Sequence, residues 1–451
     1  MSIGAADSAT AKTIAIAPWY RSLHRDQWYA LVAANLGWCF DGYQTYALIL
    51  TVTPVLRQLL PSAQYRSIPF YAGLTIAVTL LGWGLGGMVG GVISDYIGRK
   101  RMLIYAILAS GLLTGCTALA WSWTSFVALR FLVGLALGSE WGTGTAMVAE
   151  MWPDQHRGKG AALMQCGLGI GFFIASAVWL VISGFGPSAW RWIYVIGVFP
   201  IVFAWWIQRR LSEPAKWAEV DRRRREAAAA RKAGKHLDQQ SAQLARFTLW
   251  DLLTDSRIRP RLITALLMSA STTLAWWGIS TWVPPYVASL AVKQGLGAEQ
   301  WASFAGMAYN FGGIAGYIAF GFCADAWGRK PVTITWFALA FLFTPILFLW
   351  THDLHLILIV CGINAFFSLG QYTWCSTWLP EAFPTRIRGT AVSVCFNAPR
   401  LIAFVAPLVA GTLITHFGNY GKSALFVSLI YFLGISAAPF FPETRGKPLP
   451  E

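Results

Sequence analysis

The chain has 451 residues, 56% hydrophobic and only 12% charged, a balance that excludes an ordinary soluble domain. Apolar runs of about 20 residues recur from end to end, long enough to span ~30 Å of hydrocarbon as helix, and they lack the ~10-residue alternation of a transmembrane β-barrel. The formal charge of +15 sits in short loops after alternate spans and in one central loop, as in cytoplasmic loops of membrane proteins, so no nucleic-acid partner is expected.

Residues 1–28 form a polar tail without a signal-peptide pattern, so the first span has to act as the targeting signal. The apolar runs predict an all-α membrane protein with twelve transmembrane helices. The first six cover roughly 29–53, 70–94, 102–121, 125–150, 160–184 and 191–211. The second six cover roughly 261–289, 299–324, 331–350, 354–380, 389–415 and 423–441. This divides the chain into a tail (1–28), a six-helix bundle (29–211), a central loop (212–260), a second bundle (261–441) and a closing tail (442–451). The basic loops at Arg99–Arg101, Arg157–Lys159, Arg329–Lys330 and Arg386–Arg388 all fall on one side, which makes both termini cytoplasmic. The central loop holds Asp221-Arg-Arg-Arg-Arg-Glu-Ala-Ala-Ala-Ala-Arg-Lys, a strong helix former that reads most simply as a surface helix joining two halves. Its charge would also suit anionic lipid. The seven cysteines lie inside apolar spans without metal-ligand spacing, so no cofactor, metal or disulfide framework is expected.

Two motifs recur at half the chain's length. Gly91-x-x-x-Asp95-x-x-Gly98-Arg99-Lys100 returns as Gly321-x-x-x-Asp325-x-x-Gly328-Arg329-Lys330, an offset of 230. Glu150-x-x-Pro153-x-x-x-Arg157-Gly158 returns as Glu381-x-x-Pro384-x-x-x-Arg388-Gly389, an offset of 231. Two independent motifs at nearly one offset mean parallel six-helix pseudo-repeats, with a binding site expected between them near the midplane.

On these residues the chain resembles the major facilitator superfamily of secondary transporters over essentially its whole length. Gly91–Lys100 is similar to that superfamily's loop between spans 2 and 3, and Arg130-x-x-x-Gly134-x-x-x-Gly138 to its span-4 motif. Pro442-Glu443-Thr444-Arg445-Gly446 and Ser212-Glu213-Pro214-x-x-Trp217 resemble motifs of sugar-porter-like members. Asp41-Gly42 and Gly138-Ser-Glu140-Trp141-Gly142 resemble the sialate:proton and lactate:proton symporters, and more distantly the aromatic acid:proton symporters. The second acid that aromatic acid symporters often carry is replaced here by Gln44. The resemblance implies that Asp95 reaches the start of span 11 near Gly389 and Asp325 the start of span 5. Arg99 and Arg329 are expected to pair with Glu381 and Glu150, respectively, and Arg157 and Arg388 complete the gate.

Features present in only one half are candidates for chemistry. Asp41, Arg130 and Glu140 have Thr272, Cys361 and Gln371 at +231. At ~1.5 Å of rise per residue, Asp41 and Glu140 lie about 18 and 15 Å from the cytoplasmic ends of their spans. A charge at that depth costs several kcal/mol unless it faces a cavity or partner, which suits a coupling proton, with Arg130 biasing it. Arg400 in span 11 is the cation within the second-half spans away from their ends. A guanidinium fork fits a carboxylate, and the resembling acid symporters use arginine this way. Gln165, Asn310, Asn364, Gln371 and Asn397 are further candidates for substrate contact, as are Tyr43, Trp276, Trp277 and Tyr372. The glycines from Gly82 to Gly91 read as close helix packing.

The resulting expectation is a monomeric, proton-coupled symporter of a small organic anion in a bacterial inner membrane, and not an enzyme. The main alternative is a sugar porter. A drug:proton antiporter fits less well, because span 5 reads Gly167-Leu-Gly169-Ile-Gly171 and lacks the Gly-Pro of that group. A non-transporting sensor would carry a larger soluble domain.

Overall fold

The computed structural model describes residues 18–233, 244, 246–403, 405, 409, 413–414 and 416–450. Among them the regular structure is helical and no strand occurs. Most of the initial tail, part of the central loop and most of the expected eleventh span beyond residue 403 lie outside the described residues.

Among the described residues, seven helices are long and apolar enough to cross a membrane: Phe70–Ile97, Arg157–Phe185, Ala189–Arg210, Arg259–Lys293, Arg329–Trp350, Leu354–Ala382 and Tyr420–Phe440. Arg25–Leu59, Trp123–Met151 and Ala298–Trp327 have the length, but charged, amide and small residues dilute their apolarity. Those diluting residues include Asp41, Arg130, Glu140 and Asn310. The least lipid-like helices therefore hold most of the polar chemistry, as expected where they face a cavity or partner rather than lipid.

The repeat seen in the sequence is present in space. Gly98 (φ 105°) and Gly328 (φ 104°) each break the chain between two spans in a conformation that L side chains avoid. Asp95 accepts backbone N–H groups of Gly389 (3.1 Å) and Thr390 (2.8 Å) from the other half. Asp325 likewise accepts those of Gly158 (3.2 Å) and Lys159 (3.1 Å). A carboxylate at a helix N-terminus meets both free donors and the positive end of the dipole. The arginine pairing differs from the expectation. Arg99 bonds Glu150 (3.1 Å) and Arg329 bonds Glu381 (2.8 Å), each within its own half. The contacts that cross are Arg388–Glu150 (3.1 Å) and Arg157–Glu381 (3.6 Å). Each glutamate thus serves two arginines, one from each half, at the basic end.

The two Glu-containing motifs after the sixth and last spans have the same local task. Glu213 accepts the N–H groups of Lys100 and Arg101. Glu443 accepts those of Arg329 (3.1 Å) and Lys330 (2.9 Å). Partial burial raises the Glu443 carboxyl, but backbone N–H donors from Lys330, Arg445, Arg329 and Thr444 outweigh it and hold the group below its ordinary value.

The glycine run packs as expected. A Cβ on Gly87 would collide with the Asn397 side chain, and one on Gly91 with Ser393, both in the other half. The central-loop helix Ala215–Lys232 is more than a linker. Its buried Arg224 donates to the carbonyls of Asp95 (2.5 Å) and Arg386 (2.8 Å), one in each half. Beyond it, Asp251 on the short helix Thr248–Thr254 pairs with Arg386 at 2.8 Å.

Candidate functional site

Asp41 lies near the middle of the helix Arg25–Leu59, and Glu140 on Trp123–Met151 beside it. A Cβ at Gly37, one turn before Asp41, would stand 3.3 Å from Glu140 Oε2, so the two helices touch at the acids. Neither Asp41 oxygen has a hydrogen-bond partner among the described residues. Glu140 accepts one bond, from the Ser110 hydroxyl at 2.9 Å, and its Oε2 has none. Asp41 is close enough to both Glu140 and Arg400 to interact with each electrostatically, and all three are buried. Two buried carboxylates with a single hydroxyl donor between them, in a hydrocarbon-flanked interior, each need a proton or a counter-charge.

Arg400 follows directly on the helix Arg388–Asn397. Its guanidinium bonds the Phe396 carbonyl and lies 4.0 Å from the Phe396 ring centroid and 5.1 Å from that of Trp83. It forms no ion pair among the described residues, unlike the arginines of the basic end. Phe396 is inserted between the halves, stacked on Trp141 with ring centroids 3.4 Å apart and edge-on to Trp38 at 6.1 Å.

Arg400 lines a cavity of about 30 Å³, room for about two water molecules. Its walls come from both halves: Trp38, Thr45, Trp83, Leu168 and Phe172 from the first, Trp276, Trp277, Tyr317, Leu369, Tyr372 and Phe396 from the second. A second compartment of about 130 Å³ shares Phe172, Trp276, Trp277 and Leu369 with it. It continues past Tyr46, Ile49, Tyr309 and Asn310, away from the basic end.

Of the sequence candidates, Arg400, Trp276, Trp277 and Tyr372 thus line the central cavity, and Asn310 the compartment beyond. Arg130 is not brought to the acids: it donates to Thr117 (3.2 Å) and lies 5.0 Å from the Tyr194 ring centroid. Tyr43 donates to the Ile193 carbonyl, Gln165 accepts from Trp141 and Gln371 accepts from Thr272. Asn364 reaches Thr344 at 3.5 Å, and Asn397 returns to the Ser393 carbonyl. The side chains of these five line neither compartment, and four of them serve helix packing alone, while the Asn397 oxygen also accepts from Arg400 at 3.5 Å. Sequence reasoning missed Trp38, Trp83, Tyr317 and Phe396. Two of them carried a signal: Trp38 precedes Asp41, and Phe396 precedes Arg400, by one helical turn.

Residues 29–451 match the family described as "Sugar (and other) transporter". The chain is 26% identical to the cis,cis-muconate transport protein of Acinetobacter baylyi over 428 residues, covering 93% of this chain and 95% of that protein. It is 25% identical to the sialic acid transporter NanX of Escherichia coli over 415 residues, covering 92% and 93%. Among solved structures, the major facilitator proton:xylose symporter XylE, bound to 6-bromo-6-deoxy-D-glucose, superposes with a TM-score of 0.75 at 19% identity, over 94% of this chain and 98% of that one.

Proposed function

This chain belongs to the sugar (and other) transporter family, with a major facilitator fold, and from that premise we propose that it symports a small organic-acid anion with protons by alternating access. It is a multi-pass inner-membrane transporter and not an enzyme. Both named relatives carry carboxylic acids, which favours an acid as cargo here.

The observation that carries the reading is Arg400, a buried guanidinium without an ion-pair partner among the described residues, set in the wall of the cavity between the halves. A substrate carboxylate supplies the missing counter-charge and takes two parallel N–H bonds from the fork. Asp41 sits within electrostatic range of it and of Glu140, and neither Asp41 oxygen has a donor among the described residues. A proton on this pair removes the repulsion between them and between either acid and the incoming anion, so anion and proton enter together.

In this reading all twelve spans cross the bilayer, the basic end is cytoplasmic, and the bonds from Glu150 and Glu381 close that gate. Asp95, Arg99, Asp325, Arg329, Arg157 and Arg388 complete the same gate. The compartment beyond the central cavity then leads outward. The Pro442–Gly446 motif, which favoured a sugar porter, caps a helix at the basic end through Glu443, away from the cavity.

Proteoliposomes with an imposed pH gradient test the proposal. Wild-type protein accumulates a carboxylic acid against its gradient, whereas Asp41→Asn exchanges it across the membrane without accumulating it. Full accumulation by Asp41→Asn removes that residue from the coupling step.

A further inference from the structure

The two deep acids of the first half are held unequally. Glu140 divides its oxygens between two neighbouring helices. Its Oε1 accepts from the Ser110 hydroxyl, at 2.9 Å, on the helix Arg99–Thr117. Its Oε2 faces the helix Arg25–Leu59 at Gly37, where the missing side chain leaves it room. Asp41 follows one turn later on that helix, fully buried and outside the walls of both compartments. The Asp41 and Glu140 carboxyl groups lie within hydrogen-bonding reach of each other. Two carboxylates have no hydrogen to share, so that bond exists only when one of them carries a proton.

Which acid carries it depends on what the remaining charge meets. With the proton on Asp41, the Glu140 carboxylate takes two donors, the Ser110 hydroxyl on Oε1 and the Asp41 O–H on Oε2. With the proton on Glu140, the Asp41 carboxylate takes that one donor alone among the described residues. Hydrogen bonds to an ionised group are the stronger kind and favour its charged form. Among the described residues, Arg400 is the other charged group facing the pair, and it pulls towards an ionised Asp41. A cargo carboxylate seated on Arg400 neutralises that pull. The Cys39 thiol, on the same helix as Asp41, is uncharged at neutral pH. Ser110 also reaches the Ile107 carbonyl of its own helix at 3.2 Å, which keeps the hydroxyl in place.

Building on the symport reading, we propose that Ser110 is the positioning residue of this pair: it holds Glu140 as the carboxylate, so that the coupling proton sits on Asp41 and is shared towards Glu140 Oε2. Asp41 gains an O–H bond when the proton loads and loses it to water on release, and no other bond changes.

The test is an infrared pH titration of the purified full-length protein, following the carboxylic-acid C=O bands that differ between wild type and each variant. As pH falls, the first such band is removed by Asp41→Asn and survives in Glu140→Gln. In Ser110→Ala the Glu140 band, absent from Glu140→Gln, appears about one pH unit higher than in wild type, because the charged form has lost a donor. Ser110→Thr keeps the hydroxyl and restores the wild-type position, which a merely structural role for Ser110 would not require. A first band that survives Asp41→Asn and vanishes in Glu140→Gln overturns the proposal. So does a Glu140 band at the same pH in Ser110→Ala and wild type. Either result leaves proton symport standing if wild-type proteoliposomes accumulate sialic acid or cis,cis-muconate under an imposed pH gradient. Failure of that accumulation counts against the symport reading, and the infrared bands still decide where the proton sits.

Discussion

Neutralising Glu150 isolates the force that holds the basic end shut. Its Oε1 accepts from Arg99 and from Arg388 at 3.1 Å each, and all three side chains are fully buried. Removing one partner of a buried ion pair costs about 3–5 kcal/mol when a cation is stranded. In Glu150→Gln, Arg388 loses its one carboxylate partner among the described residues but keeps neutral acceptors, and Arg99 keeps a carboxylate. Arg99 keeps Asp95 at 2.7 Å, Arg388 keeps the carbonyls of Pro380 (2.9 Å) and Pro450 (3.1 Å), and glutamine keeps an acceptor oxygen. A total of about 2–3 kcal/mol is therefore expected. Only the Arg388 contact crosses between the halves, so roughly half of that total, about 1.4 kcal/mol, bears on opening. The closed-to-open ratio should fall about tenfold. The assay is the distance distribution between spin labels at Arg101 and Arg445, both exposed at the basic end. The remaining half appears as lost thermal stability in both states. An unchanged distance distribution in Glu150→Gln, with no coupling to Arg388→Gln in a double-mutant cycle, would refute the latch.

Three further outcomes follow from the same contacts. Arg400→Lys keeps the charge and loses the fork, so carboxylate affinity should drop about tenfold or more by isothermal titration; unaltered affinity argues against a bidentate contact. Gly87→Ala forces a methyl onto the Asn397 side chain and should weaken closure by about 1–3 kcal/mol in the same spin-label assay, with Asn397→Ala restoring it. Glu443 is held below the ordinary glutamate value of ~4.3, so its contribution to stability is present above that pH and is lost as pH falls through the lower folded value. Glu443→Gln should be less stable than wild type at neutral pH, with a shallower acid limb in thermal melts.

Much of this architecture was readable in the chain because its signals are local or repeated. Membrane helices announce themselves by length and apolarity, and the +230 offset paired Asp95 with Asp325 before any coordinates. The reach of these two aspartates to Gly389 and Gly158 follows from a helix N-terminus needing an acceptor. The pairing of Arg99 and Arg329 was expected across the halves and is found within them, because a repeat identifies equivalent partners without saying which copy is nearer. Amides were over-weighted as substrate ligands. Gln165, Asn364, Gln371 and Asn397 bond neighbouring helices or their own, since a buried amide must find partners wherever it lies. Arg130 looked equivalent to the acids in its asymmetry between halves, yet it faces Thr117 and Tyr194. It lies ten residues before Glu140 on the same helix, about 15 Å away along the axis.

The sequence by itself determined that this is a two-fold repeated helical membrane protein, that Asp41, Glu140 and Arg400 are the deep charges, and that the loop at Gly91–Lys100 is scaffold shared by both halves. These properties depend on length, composition and spacing, which survive without a neighbour. Only the tertiary structure decided that Asp41 comes within electrostatic reach of both Glu140 and Arg400, that Glu150 and Glu381 each serve two arginines, and that Arg400 stands in the wall of the cavity between the halves. Meeting is a property of helix rotation and of the interface between two halves. A single chain's periodicity does not encode which rotation buries which face against the other bundle.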